Sequence, residues 1–354
     1  MNAELKTYDN WLTGSDGPAA LVIREHMMPV EGHDAAVFPP TFAAGDGFPG
    51  GYNIDPPPTK EDSWKTPNVC LIDSVGSQAN RIEPIFAEDE YAKLIPQIII
   101  TAGEKNVNLL EAGHRAGDAL VRCSELKEEL HKAFRSLQMG NAEPLAKIAP
   151  TSLVFGAWDS RDTQAKVPRL VSSAIRAFDV RPLTRSAVYV PPVDYSELEV
   201  FSEAEKQKAE GSSKNPLAQR GFVHNPASGS HGGVIATNGI RRDATLSLSA
   251  LQLLRAANPD RTLALRRYVL GLSLVALTTN NSSYLRQGCN LVLDPEKPRE
   301  FREVYRDGQR EPATISHDDA FAFAQATAKE FGPGESRTVA FDKARAKEDV
   351  KKKD

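Results

Sequence analysis

Apolar and polar positions alternate unevenly along this chain, and the changes in pattern divide it into segments. Residues 18 to 32, PAALVIREHMMPVEG, carry apolar residues in a run that predicts a first strand. The next segment, FPPTFAAGDGFPGGYNIDPPPTKED, is rich in Pro and Gly. Proline fixes φ and removes a backbone donor, so neither regular helix nor central strand is expected there. It is longer than ordinary connections, which marks it as mobile or functional. NVCLIDS predicts a strand, and VGSQANRIEPIF predicts a helix stopped near Pro84. In that helix Val75, Ala79 and Ile82 stand at i, i+4 and i+7, a stripe that would pack on a core. Its other positions are Ser74, Ser77, Gln78, Asn80 and Arg81, where a surface helix normally carries Glu and Lys.

Residues 85 to 150 read as mainly helical, with NLLEAGHRAGDALVRC and SELKEELHKAFRSLQ the clearest amphipathic stretches. PRLVSSAIRAF, Pro168 to Phe178, suits a short helix or a strand with basic residues on one side. Core periodicity then disappears from 187 to 235, where proline pairs, a charged stretch and Gly/Ser clusters predict a protruding hairpin with a flexible tip. ATLSLSALQLLRAA and RTLALRRYVLGLSLVAL restore dense apolar spacing, and GCNLVLDP predicts a strand ended by Asp294-Pro295. Ser316 and Asp319 have capping-box spacing ahead of HDDAFAFAQATAKEF. The lysine-rich end, KARAKEDVKKKD, is expected to fray, and no internal repeat is visible.

Composition narrows the class. A chain of 354 residues, 40% hydrophobic and 25% charged, can bury a core in two domains or one elaborated domain, and wholesale disorder is excluded. Cys70, Cys123 and Cys289 lie far apart without CxxC spacing, which argues against a disulfide framework or zinc site and fits a reducing compartment. No basic region followed by an apolar run marks a secretory signal, and YVLGLSLVALTT is too short to span a bilayer. These features together point to the cytoplasm and away from a membrane. The net charge is -4, but its distribution is uneven. From Arg161 to Arg185 six basic residues face two acidic ones, and the count from Gly239 to Arg267 is the same. Nucleic-acid binding needs such local positive surface, and a basic average is not required.

Catalytic patterns are sparse. The seven histidines form no HExxH or paired ligand spacing, so no metal site and no cofactor are expected. GxSxG and GxxxxGK[ST] are absent. His231 in GSHGG is glycine-flanked and reads as a flexible structural or ligand-contacting residue. His114 reads as a satisfied helix residue. Asp34, Asp46 and Asp55 could hold Mg²⁺, although scattered loop acids usually serve turns. The polar helix remains. Ser74, Ser77, Gln78 and Arg81 share one side at spacings of 3 and 4, and such donors near a helix start suit phosphates along a chain. N-capping by Asp73 or Ser74 explains its first turn, but leaves Gln78, Asn80 and Arg81 unexplained.

Four blocks in order, LIDSVGSQANRIE, SLVFGAWDSR…KVPRLVSSAIRAFDV, SAVYVPPVDY and HGGVIATNGIRRDATLSLSALQLL, resemble the CRISPR-associated RAMP proteins that form the backbone of type I-G (formerly I-U) Cascade, in the Cas-seven superfamily. The resemblance runs from about Pro18 to Pro295. It implies an α+β fold: a modified RRM-like (ferredoxin-like) palm with a helical finger insertion and a protruding thumb hairpin. The corresponding divisions are palm at 1–83, including the Pro/Gly-rich loop, a finger-like part at 84–167, palm again at 168–186, thumb at 187–235 and palm at 236–295. A C-terminal helical extension and basic tail occupy 296–354. The implied function is binding of guide RNA (crRNA) by copies stacked head to tail in a helical filament, which presents the guide for pairing with a target DNA strand in antiviral defence. Further implied partners are the other Cascade subunits and a recruited helicase-nuclease. Catalysis is not implied.

By block position the RNA contacts fall on Ser77, Gln78, Asn80, Arg81, Arg161, Lys166, Arg169, Arg241 and Arg242, with His231 touching a displaced nucleotide. Arg176 fits a finger or a subunit interface equally well. Two rival readings remain. One is a metal-dependent subunit that cleaves target RNA with Asp34 or Asp46. The other is a small-molecule enzyme, monomeric or in a closed oligomer, without RNA.

Overall fold

The computed structural model describes residues 3–14, 16–56, 67–212, 214–279 and 283–351. The Pro/Gly-rich loop from residue 57 to 62 and the last three lysine-tail residues lie outside them.

The principal elements are β1 (Ala20–Pro29), β2 (Val69–Asp73), α1 (Val75–Ile82), β3 (Val171–Phe178), β4 (Val180–Tyr189), β5 (Asn225–Ala236), β6 (Ile240–Ser247), α2 (Pro259–Thr278), β7 (Cys289–Leu293), β8 (Glu300–Val304) and α3 (His317–Phe331). The arrangement is mixed α+β. A nine-stranded antiparallel sheet runs in the order Tyr284–Arg286, β7, β1, β6, β3, β2, Ile54–Asp55. β7 pairs only the end of β1, so β8 takes the other half of the same edge and carries Arg310–Pro312 beyond it.

Strand alternation sets the two faces. On β6, Ile240, Arg242, Ala244 and Leu246 are buried while the residues between them are not. They stand opposite Met27, Glu25, Ile23 and Leu21 of β1. The helices cover this face. α2 lies almost wholly inside, which explains why its apolar residues show no single stripe. It packs on α3 at Gly271, where an added Cβ would come within 2.8 Å of Ala324 Cα and Thr327 Oγ1. The capping box opens α3 as the sequence predicts, with Ser316 and Asp319 each bonding the other's backbone.

Three expectations are corrected. Residues 85–150 are helical only in part. Ile98–Ala102 and Lys105–Asn108 form a hairpin, and Arg337–Ala340 adds to it in parallel. NLLEAGHRAGDALVRC breaks into turns at Leu109–Glu111 and Arg115–Gly117 and the short helix Ala119–Arg122. The Asn108 and Asp118 side chains accept from Leu110 and Leu120 N–H, so local caps replace a continuous helical ladder. SELKEELHKAFRSLQ does form the helix Lys127–Gln138.

The hairpin tip is also folded. β4 and β5 pair from Val180↔Ala236 to Tyr189↔Asn225, and the segment between them makes helices Glu203–Ala209 and Pro216–Gln219 around Ala209, Ala218 and Val223. Phe222 packs edge-on against Tyr195 and Phe201, while Lys206 binds Asp194 at 2.5 Å. Finally, Lys343–Lys351 is helical where fraying is expected. Asp342 caps its first turn and Arg122 holds Asp349 at 2.7 Å.

Candidate functional site

A polar seam crosses the buried face of the sheet and separates two apolar cores. Leu21, Ile23, Val171, Ala244 and Leu246 belong to the larger core under the helices. Cys70, Ile72, Ile175, Ala177 and Ile240 belong to the other, with Cys289 and Leu291. Between them runs a chain of bonds. Glu25 Oε2 accepts from Arg242 Nη1 at 2.6 Å, and Arg242 Nε donates to Ser173 Oγ at 2.9 Å. Ser173 donates to Gln78 Oε1 at 2.8 Å, and Gln78 Nε2 donates to Asp73 at 2.7 Å. Arg299 pairs the other oxygen of Glu25 at 2.9 Å. A buried charge needs this degree of satisfaction.

Asp73 ends the seam at the base of α1 and is 1% exposed. Ser77 Oγ and Arg286 Nη2 donate to one of its oxygens, each at 2.9 Å, while Gln78 Nε2 and Arg81 Nε donate to the other. Arg81 also donates to the Leu285 carbonyl at 2.8 Å. The unusual polar residues of α1 thus satisfy a buried carboxylate. Ser74 caps the helix, accepting from Ser77 N–H. The first residue of VGSQANRI to lie in open solvent with no bond of its own described is Asn80.

Above the seam opens a groove of about 760 Å³. Its floor holds Glu25, Gln78, Ile175 and Arg242, one wall Asn80, Arg81, Ile85 and Glu88 from α1 and the turn after it, and the other wall Tyr284, Leu285, Leu291 and Leu293. Tyr284 and Leu293 are exposed at its rim, and Thr279, just past the end of α2, closes one end.

The expected contact residues divide accordingly. Gln78 and Arg242, 1% and 3% exposed, are bonded within the seam, so their side chains hold the fold together at the floor of the groove. Arg241 precedes Arg242 on the strand and therefore faces the opposite side of the sheet, pairing Asp243 at 2.9 Å over the Phe178 ring. His26 and Arg176 flank it on the neighbouring strands. His231 is not on the tip. It lies in β5 opposite Thr184, its ring 4.8 Å from that of Tyr52 and directly over Gly51, where a Cβ would meet it at 2.6 Å. Arg161 and Lys166 are exposed on the hairpin Ala157–Trp158/Lys166–Val167, where Lys166 stacks on Trp158.

Arg169 is the best-placed free cation among the described residues. Its stem crosses Gly156, where a Cβ would lie 2.7 Å from Arg169 Cγ, and its Nη2 reaches within 4.0 Å of the Cβ position of Gly76 in the first turn of α1. Burial, and then the charge of Arg115, lower its pKa. Arg115 itself is buried against Glu83 at 2.6 Å. Glu83 Oε1, Arg115 Nη2 and Thr151 Oγ1 make no hydrogen bond of normal geometry, and burial pushes the Glu83 carboxyl up to about 7 against the pull of Arg115 and the neighbouring Thr151 hydroxyl. Sequence reading did not find Asp73, Arg286, Glu25 or Glu83. A charge placed inside apolar strand patterns, as in LVIREH and CLIDS, is the signal that could have shown the first and third.

His33, Asp294 and Glu296 bring ligand atoms within 4.8 Å of one another. Lys297 already sits 3.6 Å from Asp294, supplying the positive charge a metal would bring. Asp34 lines the adjoining cavity, whereas Asp46 and Asp55 are exposed elsewhere on the loop. Among the described residues no helix is long and apolar enough to cross a membrane.

Residues 21–182 match the family described as CRISPR-associated protein GSU0053. The matched span runs from β1 to the base of β4 and includes α1, Arg115, Arg161, Lys166 and Arg169, while β6, β7 and most of the hairpin lie beyond it. No curated protein matches the chain. The match supports a CRISPR-associated protein with a role in CRISPR defence.

Proposed function

We propose that this chain is the guide-RNA (crRNA) binding backbone subunit of a type I-G (formerly I-U) Cascade, a Cas-seven superfamily scaffold that stacks along the guide without catalysing a reaction. The observation that carries this reading is Arg169, exposed beside the start of α1 with no acid paired to it among the described residues, inside the span that matches a CRISPR-associated family. Cation and helix start together suit a backbone phosphate. Asn80, Arg81, Lys166 and Arg161 extend the surface, while base pairing reads the sequence.

In this reading the sheet is the RRM-like palm, residues 84–167 the finger and 187–235 the thumb. The thumb tip is acidic, with six acids against two bases from Asp194 to Glu210, and exposes Val190, Val193, Leu198 and Val200. Such a surface repels phosphate and suits contact with a neighbouring copy. Heterologous contacts that do not close give the open filament. The target DNA strand, the other Cascade subunits and the helicase-nuclease would then meet the assembled filament.

The test is assembly on guides of increasing length, read by mass and by salt dependence. Copies should be added in whole steps, and log affinity should fall with log salt by roughly 0.7 per phosphate contact. Arg169→Ala should weaken all guide sequences equally and leave the melting temperature unchanged. Arg242→Ala should instead destabilise the fold by about 3 kcal/mol, because it removes the buried donor to Ser173 and leaves Glu25 with only the half-exposed Arg299. A fixed dimer, or affinity that ignores salt, refutes the reading. RNA cleavage by metal at Asp34 is the alternative: loss of complementary RNA in Mg²⁺, abolished by Asp34→Ala, would establish it.

A further inference from the structure

At the end of α2 remote from the groove, Arg255 and Arg266 line a cavity of about 490 Å³ together with Asn258, Thr262 and Leu263. The 20 residues of α2 separate it from Thr279 at the groove by about 30 Å. The arginines of this helix are otherwise neutralised. Arg261 binds Glu143 at 2.5 Å, and Arg267 binds Asp9 and Glu330 at 2.6 and 2.7 Å. Arg266 has no such partner. Its Nε donates to the Leu254 carbonyl at 2.9 Å and its Nη1 to that of Leu12 at 2.7 Å, while Nη2 donates to that of Gln252. These carbonyls fix the guanidinium without cancelling its charge. Arg255 is exposed and, among the described residues, has no acid against it. Burial lowers the pKa of Arg266, and the charge of Arg255 lowers it further. The helix end contributes little, since Asn258 Oδ1 already accepts from Arg261 N–H and Pro259 has no donor.

Two cations line this cavity without a counter-charge, and three of the five N–H of Arg266 hold carbonyls, which leaves one on each Nη, together with Arg255, for charge-assisted hydrogen bonds to an oxyanion. We propose that this cavity is an oxyanion site that takes a phosphate group between Arg255 and Arg266. The proposal rests on neither the groove nor the guide. The phosphate comes either from a nucleic-acid backbone or from a free phosphorylated molecule, and the chemistry of the site is the same for both.

Pyrophosphate is the probe, titrated calorimetrically into the intact wild-type chain and into Arg255→Gln, an exposed change with no structural bond to lose. Wild type should bind one equivalent, and the variant should bind roughly tenfold more weakly, the loss of one charged hydrogen bond. Crystals soaked in tungstate should show the anion between the two guanidiniums. No saturable binding by wild type, equal binding by the variant, or tungstate bound elsewhere would overturn the proposal. A parallel RNA titration separates the sources. A salt slope reduced by about 0.7 in Arg255→Gln assigns a backbone phosphate, and an unchanged slope with pyrophosphate affinity lost assigns a free ligand. Because the pyrophosphate arm uses no RNA, failure of the guide-binding reading leaves it standing.

Discussion

Asp73 organises the residues around α1. Four side-chain donors converge on it, two of them arginines, so the helix surface is less cationic than its sequence suggests. Arg81 spends part of its charge on Asp73, whereas Arg169 keeps all of its own. Glu83 is the second buried acid, and its protonation has a definite consequence. Its folded pKa, about 7, lies above its ordinary 4.5, so the folded chain holds a proton that the unfolded chain has released between those values. Stability should therefore fall as pH rises from about 4.5 to about 7 and level off above that. Glu83→Gln keeps an acceptor for Arg115 and should flatten this slope in chemical denaturation across that range. An unchanged slope would place the titration elsewhere.

At the scale of elements, the hairpin insertion behaves as a small folded unit on a two-stranded stalk. Its core is separate from both cores of the sheet, and its helices are fixed by the Ser202–Glu205 capping box and the Lys206–Asp194 pair. Replacing residues 203–211 with a Gly/Ser linker removes Ala209 from that core. Hydrogen exchange should then accelerate through 190–224, while β1, β6 and α2 keep their protection, because few contacts cross the stalk. Lost protection in the sheet would mean that the tip supports the sheet.

For the molecule as a whole, one sheet serves two apolar cores divided by a hydrogen-bonded seam. All three cysteines are unpaired and buried. Burial raises all three thiols, pushing Cys70 up to about 12 and Cys289 to about 11. The thiolate is the reactive form. Iodoacetamide at pH 8 should therefore leave the native chain unmodified, with labelling read by mass spectrometry rising only across the denaturant transition. Native-state labelling of Cys70 at the unfolded rate would show that the second core opens on its own.

Local rules were legible in the sequence wherever short-range chemistry decides the outcome. The Ser316–Asp319 cap, the strands around Val22, Leu71 and Leu291, the helix from Lys127 to Gln138, and the absence of disulfide spacing all follow from neighbours a few residues apart. The protruding hairpin between 187 and 235 was also visible, because core periodicity stops there. What sequence could not decide was the direction of each polar side chain. Ser77, Gln78 and Arg242 have the chemistry of phosphate contacts, and only the approach of β1, β3 and α1 turns them onto Asp73, Ser173 and Glu25. Likewise Arg241 and Arg242 differ by one position, which on a strand means opposite faces, and Arg169 remains free because no acid from any distant segment arrives beside it among the described residues. Composition and spacing determine which donors a chain owns. Burial and long-range pairing decide which of them are left for a ligand, because a donor that turns from a buried carboxylate to a second partner leaves that carboxylate unsatisfied.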